Sequence, residues 1–212
     1  METFMNVEQY QFLKKQARKM INACSNTKDK HVIEAMQALV MESINTKIVG
    51  ITDDKLCLLK PIVNLQTKER LEDFFKTIKT YVTPFEIITE KNIKKLFPKD
   101  KKMKIPNLKS IDWTEISYLS WLDSGTNRKY IVFRDESGII GFRGVFSYSN
   151  KKGFCTICNQ HHQVGMFMSS KKGKALGTYV KRGSYICTDS TACNESLTDF
   201  TRLTDFLKVI TE

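Results

Sequence analysis

Four cysteines in the last third of the chain are placed for chemistry: Cys155 and Cys158 have two residues between them, and Cys187 and Cys193 follow a 28-residue gap with five residues between them. Thiolates are strong ligands for Zn(II), and four of them close a tetrahedral site with no position left for a reactive water. Gly153-Phe154-Cys155-Thr156-Ile157-Cys158-Asn159 reads as a tight turn that aims two sulfurs at one centre; hairpin-like sequence follows, and Cys193 lies where a helix opens. Turn, hairpin and helix start are the parts of a treble-clef zinc finger. The sequence therefore predicts one structural Zn2+ on Cys155, Cys158, Cys187 and Cys193. Redox proteins use the same first spacing, but here the pair does not open a helix after a buried strand. Disulfides are the other alternative. No secretory signal precedes Met1-Glu2-Thr3-Phe4, so reduced thiols and a cytoplasmic setting are expected. His161 and His162 lie in the gap as substitute ligands, yet His161 follows Cys158 too closely to reach the metal comfortably, which favours four sulfurs.

Other chemistry is thin. Gly165 and Gly173-Lys174 are too far apart for a phosphate-binding loop, and Ala175 stands where a hydroxyl would bind magnesium. Ser169-x-x-Lys172 matches a serine–lysine nucleophile pair, but its companion motifs are missing. No histidine among His31, His161 and His162 adjoins an evident nucleophile and carboxylate. A binding protein, not an enzyme, is expected. Cys24 and Cys57 sit in apolar helical context and read as small buried hydrophobes.

The elements that must position the cysteines follow from periodicity and punctuation. Residues 6–83 read as helical: Asn6 with Gln9 resembles a capping box, and Tyr10, Leu13, Ala17, Met20, Ile21 and Cys24 recur at helical spacing. A second helix from Asp29 carries Ile33, Met36, Val40 and Ile44, and Gly50 ends it. Thr52-Asp53-Asp54 caps a third, divided or kinked by Pro61; Thr67 caps a fourth with Leu71, Phe74, Phe75, Ile78 and Val82 as its stripe. Four such segments imply an antiparallel helical bundle over 1–83, with Pro84 as the boundary. Thr89 opens a short helix stopped by Pro98, and a lysine-rich run, Lys99 to Pro106, follows as a solvated loop that has the charge to touch phosphate or an acidic partner. Residues 129–134 and 139–146 read as one hairpin, 164–168 and 178–186 as a second inside the zinc unit of about 150–200, with Ser169–Lys174 as its exposed loop. Ser190 or Thr191 starts a short helix, and Thr198 or Asp199 the last one, with Phe200, Leu203, Phe206, Leu207 and Ile210 on one face. The fold class is α+β: the bundle, then an α/β domain over 84–212 holding the treble clef.

The chain of 212 residues is 41% hydrophobic and carries a net charge of +11. Basic residues outnumber acidic ones 13 to 10 over 1–83, 12 to 8 over 84–150 and 9 to 5 over 151–212, so the charge reads as spread. Such a surface suits an acidic partner or one near polyanions, such as a ribosome-associated factor. No apolar run approaches the roughly 18 residues of a membrane span.

Val180-Lys181-Arg182-Gly183-Ser184-Tyr185-Ile186-Cys187, together with Gly153 to Asn159, resembles the FusB/FusC family of fusidic acid resistance proteins. Tyr81-Val82-Thr83-Pro84-Phe85-Glu86, Lys104-Ile105-Pro106 and Asn127-Arg128-Lys129-Tyr130-Ile131 are similar to further family segments, so the resemblance covers essentially the whole chain. It implies a helical bundle and a four-cysteine zinc domain that binds translation elongation factor G. It also implies release of that factor from drug-stalled ribosomes, by a monomer that does not bind the drug directly. Carried over by motif, the partner contacts are Phe154, Lys181, Arg182, Tyr185 and Phe206, with Arg182 where the family can have lysine. Phe154 and Tyr185 each stand next to a zinc ligand or one residue from it, so the metal should stiffen them into anchors. For Phe154 and Phe206, packing of the zinc-domain core is the alternative. A zinc-finger module that binds ribosomal RNA is the rival function; its affinity would fall steeply with salt.

Overall fold

The computed structural model describes residues 2–173, 175 and 177–211. The chain divides into two compact units, Met1–Pro84 and Phe85–Glu212.

In the first unit a two-residue strand, β1 (Met5–Asn6), leads directly into α1 (Val7–Asn26), followed by α2 (Lys30–Lys47), α3 (Asp53–Leu59) and α4 (Lys68–Ile78). The starts are made by side chains that occupy otherwise unpaired N–H groups. Asn6 and Gln9 form the reciprocal box at 2.8 and 2.9 Å, Asp29 accepts from His31 N at 2.9 Å, and Thr67 accepts from Arg70 N at 3.3 Å. Tyr10, Leu13, Ala17 and Met20 of α1 pack with Val40, Ile44, Leu59, Ile62, Phe75 and Ile78 into one core. The division expected at Pro61 is present, and the expected place of Val82 is corrected. Pro61 lacks the N–H that an α-helix needs there, so α3 gives way to a 3-10 turn over Lys60–Asn64. Val82, expected on the stripe of α4, lies instead in strand β2 (Val82–Thr83), paired in parallel with β1 through Met5↔Val82. Cys57 is exposed and Cys24 half-buried, so neither is the fully buried hydrophobe expected.

The second unit begins with α5 (Glu90–Leu96), capped by Thr89 and stopped before Pro98. Five antiparallel strands follow in simple order, β3 (Leu119–Asp123), β4 (Arg128–Asp135), β5 (Gly138–Phe154), β6 (His161–Lys172) and β7 (Tyr179–Cys187), and then α6 (Ser190–Ser196) and α7 (Phe200–Thr211). The two expected hairpins are thus one sheet. They join because β5 runs on as strand through the polar stretch from Ser147 to Lys152, with a bulge between Tyr148 and Lys152. The expected Ser169–Lys174 loop is strand as far as Lys172, and Lys174 lies outside the described residues.

Alternation gives the sheet two faces. Ile131, Phe133, Phe146 and Phe167 face a core completed by Leu203, Phe206, Leu207 and the cysteines. Tyr130 and Val132 face the other way, under Phe85, Ile93 and Phe97. β4 is therefore buried on both sides. No helix among the described residues is long and apolar enough to cross a membrane.

Candidate metal centre

The turn after β5, the end of β7 and helix α6 bring Cys155, Cys158, Cys187 and Cys193 together, all buried, with the four Sγ atoms within 4.8 Å of one another. Cys155 Sγ lies 3.7 Å from Cys193 Sγ, and Cys158 Sγ 3.7 Å from Cys187 Sγ. At a Zn–S distance of about 2.3 Å, the sulfurs of a tetrahedral site stand about 3.8 Å apart. The donor set thus fits one structural zinc and is too open for disulfides, whose sulfurs stand about 2.05 Å apart. Neither His161 nor His162 belongs to the cluster: His161 packs its ring on Phe154 at 5.5 Å, and His162 Nε2 lies 3.1 Å from Ser196 Oγ on α6.

Local bonds make this arrangement before any metal is considered. Asn159 takes a left-handed φ of 53°, which Asn tolerates, and its N–H donates to Cys155 O at 2.8 Å, closing the turn. Cys187 N donates to Cys155 Sγ at 3.3 Å. Asp189 caps α6, accepting from Thr191 N at 2.8 Å, which places Cys193 in the first turn. The sulfurs compete for charge: contact with Cys158, Cys187 and Cys193 holds the Cys155 thiol far below its usual range. Contact with Cys155 pushes Cys187 and Cys193 up. A divalent cation held by Cys155, Cys158, Cys187 and Cys193 would take all four as thiolates and would crosslink turn, strand and helix.

Two residues that sequence reasoning missed complete the site. Lys129 is only 2% exposed. Its Nζ donates to Cys187 O and Thr188 O, each at 3.0 Å, and lies 4.8 Å from the Phe146 ring centroid. Burial pulls its pKa down, while the nearby sulfurs of Cys193, Cys187 and Cys155 favour the charged form. Zinc with four thiolates carries a formal charge of about −2, and Lys129 sets a cation against it. Asn194, buried on α6, accepts from Ser117 N at 2.7 Å and donates to Tyr118 O at 3.1 Å, tying the helix to the approach to β3.

The five candidate contact residues separate. Phe154 is 69% exposed and Tyr185 49% exposed. The N–H of Thr156, inside the cysteine turn, donates to Tyr185 O at 2.9 Å, so both aromatics are fixed to the metal framework. On β7, Lys181, Gly183 and Tyr185 share a face. A Cβ on Gly183 would meet Met166 Sδ at 3.1 Å and Met168 Cγ at 3.2 Å, which puts those methionines on the same face, with Val145 opposite Met168 in register. Alternation sends Arg182 to the other face, paired with Ser169, whose hydroxyl donates to Ile210 O at 2.8 Å. Phe206 is 1% exposed and packs edge-on against Phe167 at 5.8 Å. It is a core residue, and its place as a direct contact is corrected: the apolar face of α7 is spent on the sheet.

Comparison with known proteins bears on both units. A family model described as "Elongation factor G-binding protein, N-terminal" matches residues 4–86. A second, "FBP C-terminal treble-clef zinc-finger", matches residues 93–204 and includes all four cysteines. Among curated proteins none matches the chain. Among solved structures, the fusidic acid resistance protein FusC superimposes with a TM-score of 0.82 at 33% identity, over 98% of this chain and 97% of that one. With a helical unit and a four-cysteine sheet unit each matched over nearly its full extent, the chain belongs to the elongation factor G-binding family of FusB/FusC-type proteins.

Proposed function

We propose that this chain protects translation from fusidic acid by binding elongation factor G through its zinc-stiffened end and promoting release of the factor from drug-stalled ribosomes. It acts in the cytoplasm as a stoichiometric binding partner, without modifying the drug. The observation that carries this reading is the pair Phe154 and Tyr185: large aromatics, well exposed, with backbones tied to the cysteine turn. Exposed aromatics on a rigid frame dock with little loss of side-chain entropy and supply most of the energy at protein interfaces. Met166, Met168 and Val145 extend the apolar area around Tyr185, and Lys181 stands at its rim. Arg182, on the reverse face, contributes through charge at the periphery, and Phe206 through the packing that supports β6. The family match and the 33% identity to FusC support the choice of partner. Release requires that the bound face favour a factor conformation different from the drug-locked one, because a ligand shifts an equilibrium only by its differential affinity.

The test is a titration of purified elongation factor G with Phe154→Ala, Tyr185→Ala and Phe206→Ala, each checked for zinc content and thermal stability. The first two should bind at least about 30-fold more weakly at unchanged stability. Phe206→Ala should instead lower stability by about 3 kcal/mol or more, as a large-to-small core change. Wild-type affinity in both exposed variants would refute this docking site, and unmodified fusidic acid recovered by mass measurement is expected throughout.

A further inference from the structure

Between Glu90 and Lys109 stand eight lysines against two acids, so one-tenth of the chain holds more than half of its net charge of +11. The charge is spread between domains but focused within the second. On α5, Lys91, Lys94 and Lys95 are exposed opposite the buried Ile93, and Lys99, Lys101, Lys102 and Lys104 are exposed in the loop that follows. That loop is built, not loose. Asp100 N donates to Phe97 O and Met103 N to Asp100 O, both at 3.0 Å, while Phe97 packs against Gly141 of β5. Its one acid is turned inward: the Asp100 side chain is 4% exposed, accepts from Arg128 Nη1 at 2.7 Å, and pairs through its other oxygen with Arg143. With Asp100 consumed below the surface, Lys99, Lys101, Lys102 and Lys104 have no acidic partner among the described residues, while on α5 Lys94 lies 3.6 Å from the exposed Glu90.

Gly141, Arg143 and Val145 alternate onto one face of β5, and Val145 stands opposite Met168 in register. The lysine loop is therefore beside the apolar face that carries Tyr185. We propose that this sheet face is bipartite: its apolar half takes the protein partner, and the Lys99–Lys104 loop with α5 binds the phosphodiester backbone of RNA. The choice of RNA rests on the function proposed above, under which the factor is met on the ribosome. Lysine is depleted in protein–protein interfaces, where aromatic anchors dominate. The segment Lys99–Lys104 holds four lysines and no aromatic residue. Mobile point charges without base-reading groups suit sequence-independent phosphate contact and counterion release.

The test uses the full chain carrying Lys99→Glu, Lys101→Glu, Lys102→Glu and Lys104→Glu together, with zinc content and thermal unfolding as fold checks. The probes are a fluorescein-labelled RNA hairpin, polyglutamate, phosphatidylserine vesicles and purified elongation factor G. The wild type should bind the hairpin with a steep salt dependence. In the variant the slope of log affinity against log salt should flatten by about 3, and affinity should fall on the order of 100-fold, with factor binding unchanged. Equal hairpin affinity and slope in the two chains overturns the proposal. So does polyglutamate or vesicle binding as tight as RNA binding, or loss of factor binding in the variant. Failure of the functional reading looks different: the wild type then does not bind elongation factor G, whatever the RNA result.

Discussion

Lys129 brings an ammonium group into the core side of a strand, in line with Ile131 and Phe133. Burying such a charge is tolerated only where partners replace water, and here two backbone carbonyls and the thiolate cluster do so. Lys129→Met keeps the apolar stem but strands Cys187 O and Thr188 O. We expect a loss of about 2 to 4 kcal/mol in urea denaturation and roughly tenfold weaker zinc retention against a chelator. Lys129→Met with wild-type zinc affinity would remove the residue from the metal's support. The four cysteines were legible because ligand spacing is a local code. Lys129 was not, since a lysine on an alternating strand reads as solvent-facing until Phe146 of β5, the end of β7 and the cysteine cluster close over it. Phe206 shows the converse limit: an aromatic on a helical stripe has the same spelling whether the stripe meets a partner or the chain's own sheet.

At the scale of elements, the pairing of β5 with β6 and of β6 with β7 decides which way the exposed groups of these strands point. Their register depends on glycines that admit a neighbour: a Cβ on Gly165 would meet the Phe146 ring at 2.4 Å and Ser147 O at 2.7 Å. Gly165→Ala should therefore lower stability by about 1 to 3 kcal/mol, read as a drop in the melting temperature of the second unit, although the change adds only a methyl group. An unchanged melting temperature would show that Phe146 swings aside freely. Helix starts in this chain were readable from Asn6, Asp29, Thr67 and Thr89, because a cap is made by the residue itself; the start expected at Ser190 or Thr191 is capped one or two residues earlier, by Asp189. The long β5 was not, because Ser147-Tyr148-Ser149-Asn150-Lys151-Lys152 has the composition of a loop, and only pairing with β6 makes it strand. Which side of β7 holds Arg182 and which holds Tyr185 follows from that pairing.

For the molecule as a whole, two units with separate cores mean two separate responses to metal removal. No cysteine of the four lies in the helical unit. Stripping zinc at neutral pH with a strong chelator should lower one calorimetric transition by many degrees and leave the other in place, since a structural zinc contributes on the order of 10 kcal/mol. Binding of elongation factor G should vanish with the first transition and return when zinc is restored. A single transition moving as one would show that the units share their stability. The division into a helical part and a sheet part was plain from the switch in periodicity near Pro84, whereas the single five-stranded sheet required contacts between residues far apart in sequence.

The small parallel pairing of β1 with β2 has a consequence for how the helical unit is put together. Met5 lies against Val82, Phe4 N donates to Tyr81 O at 3.0 Å, and Thr83 Oγ1 donates to Thr3 Oγ1 at 2.9 Å. Entry and exit of that unit are therefore side by side, like the two ends of a buckled strap. A circular permutant reopened at the exposed Gly50 and spliced across the buckle should retain every helix, read as an unchanged far-ultraviolet circular dichroism spectrum, because neither cut passes through the core.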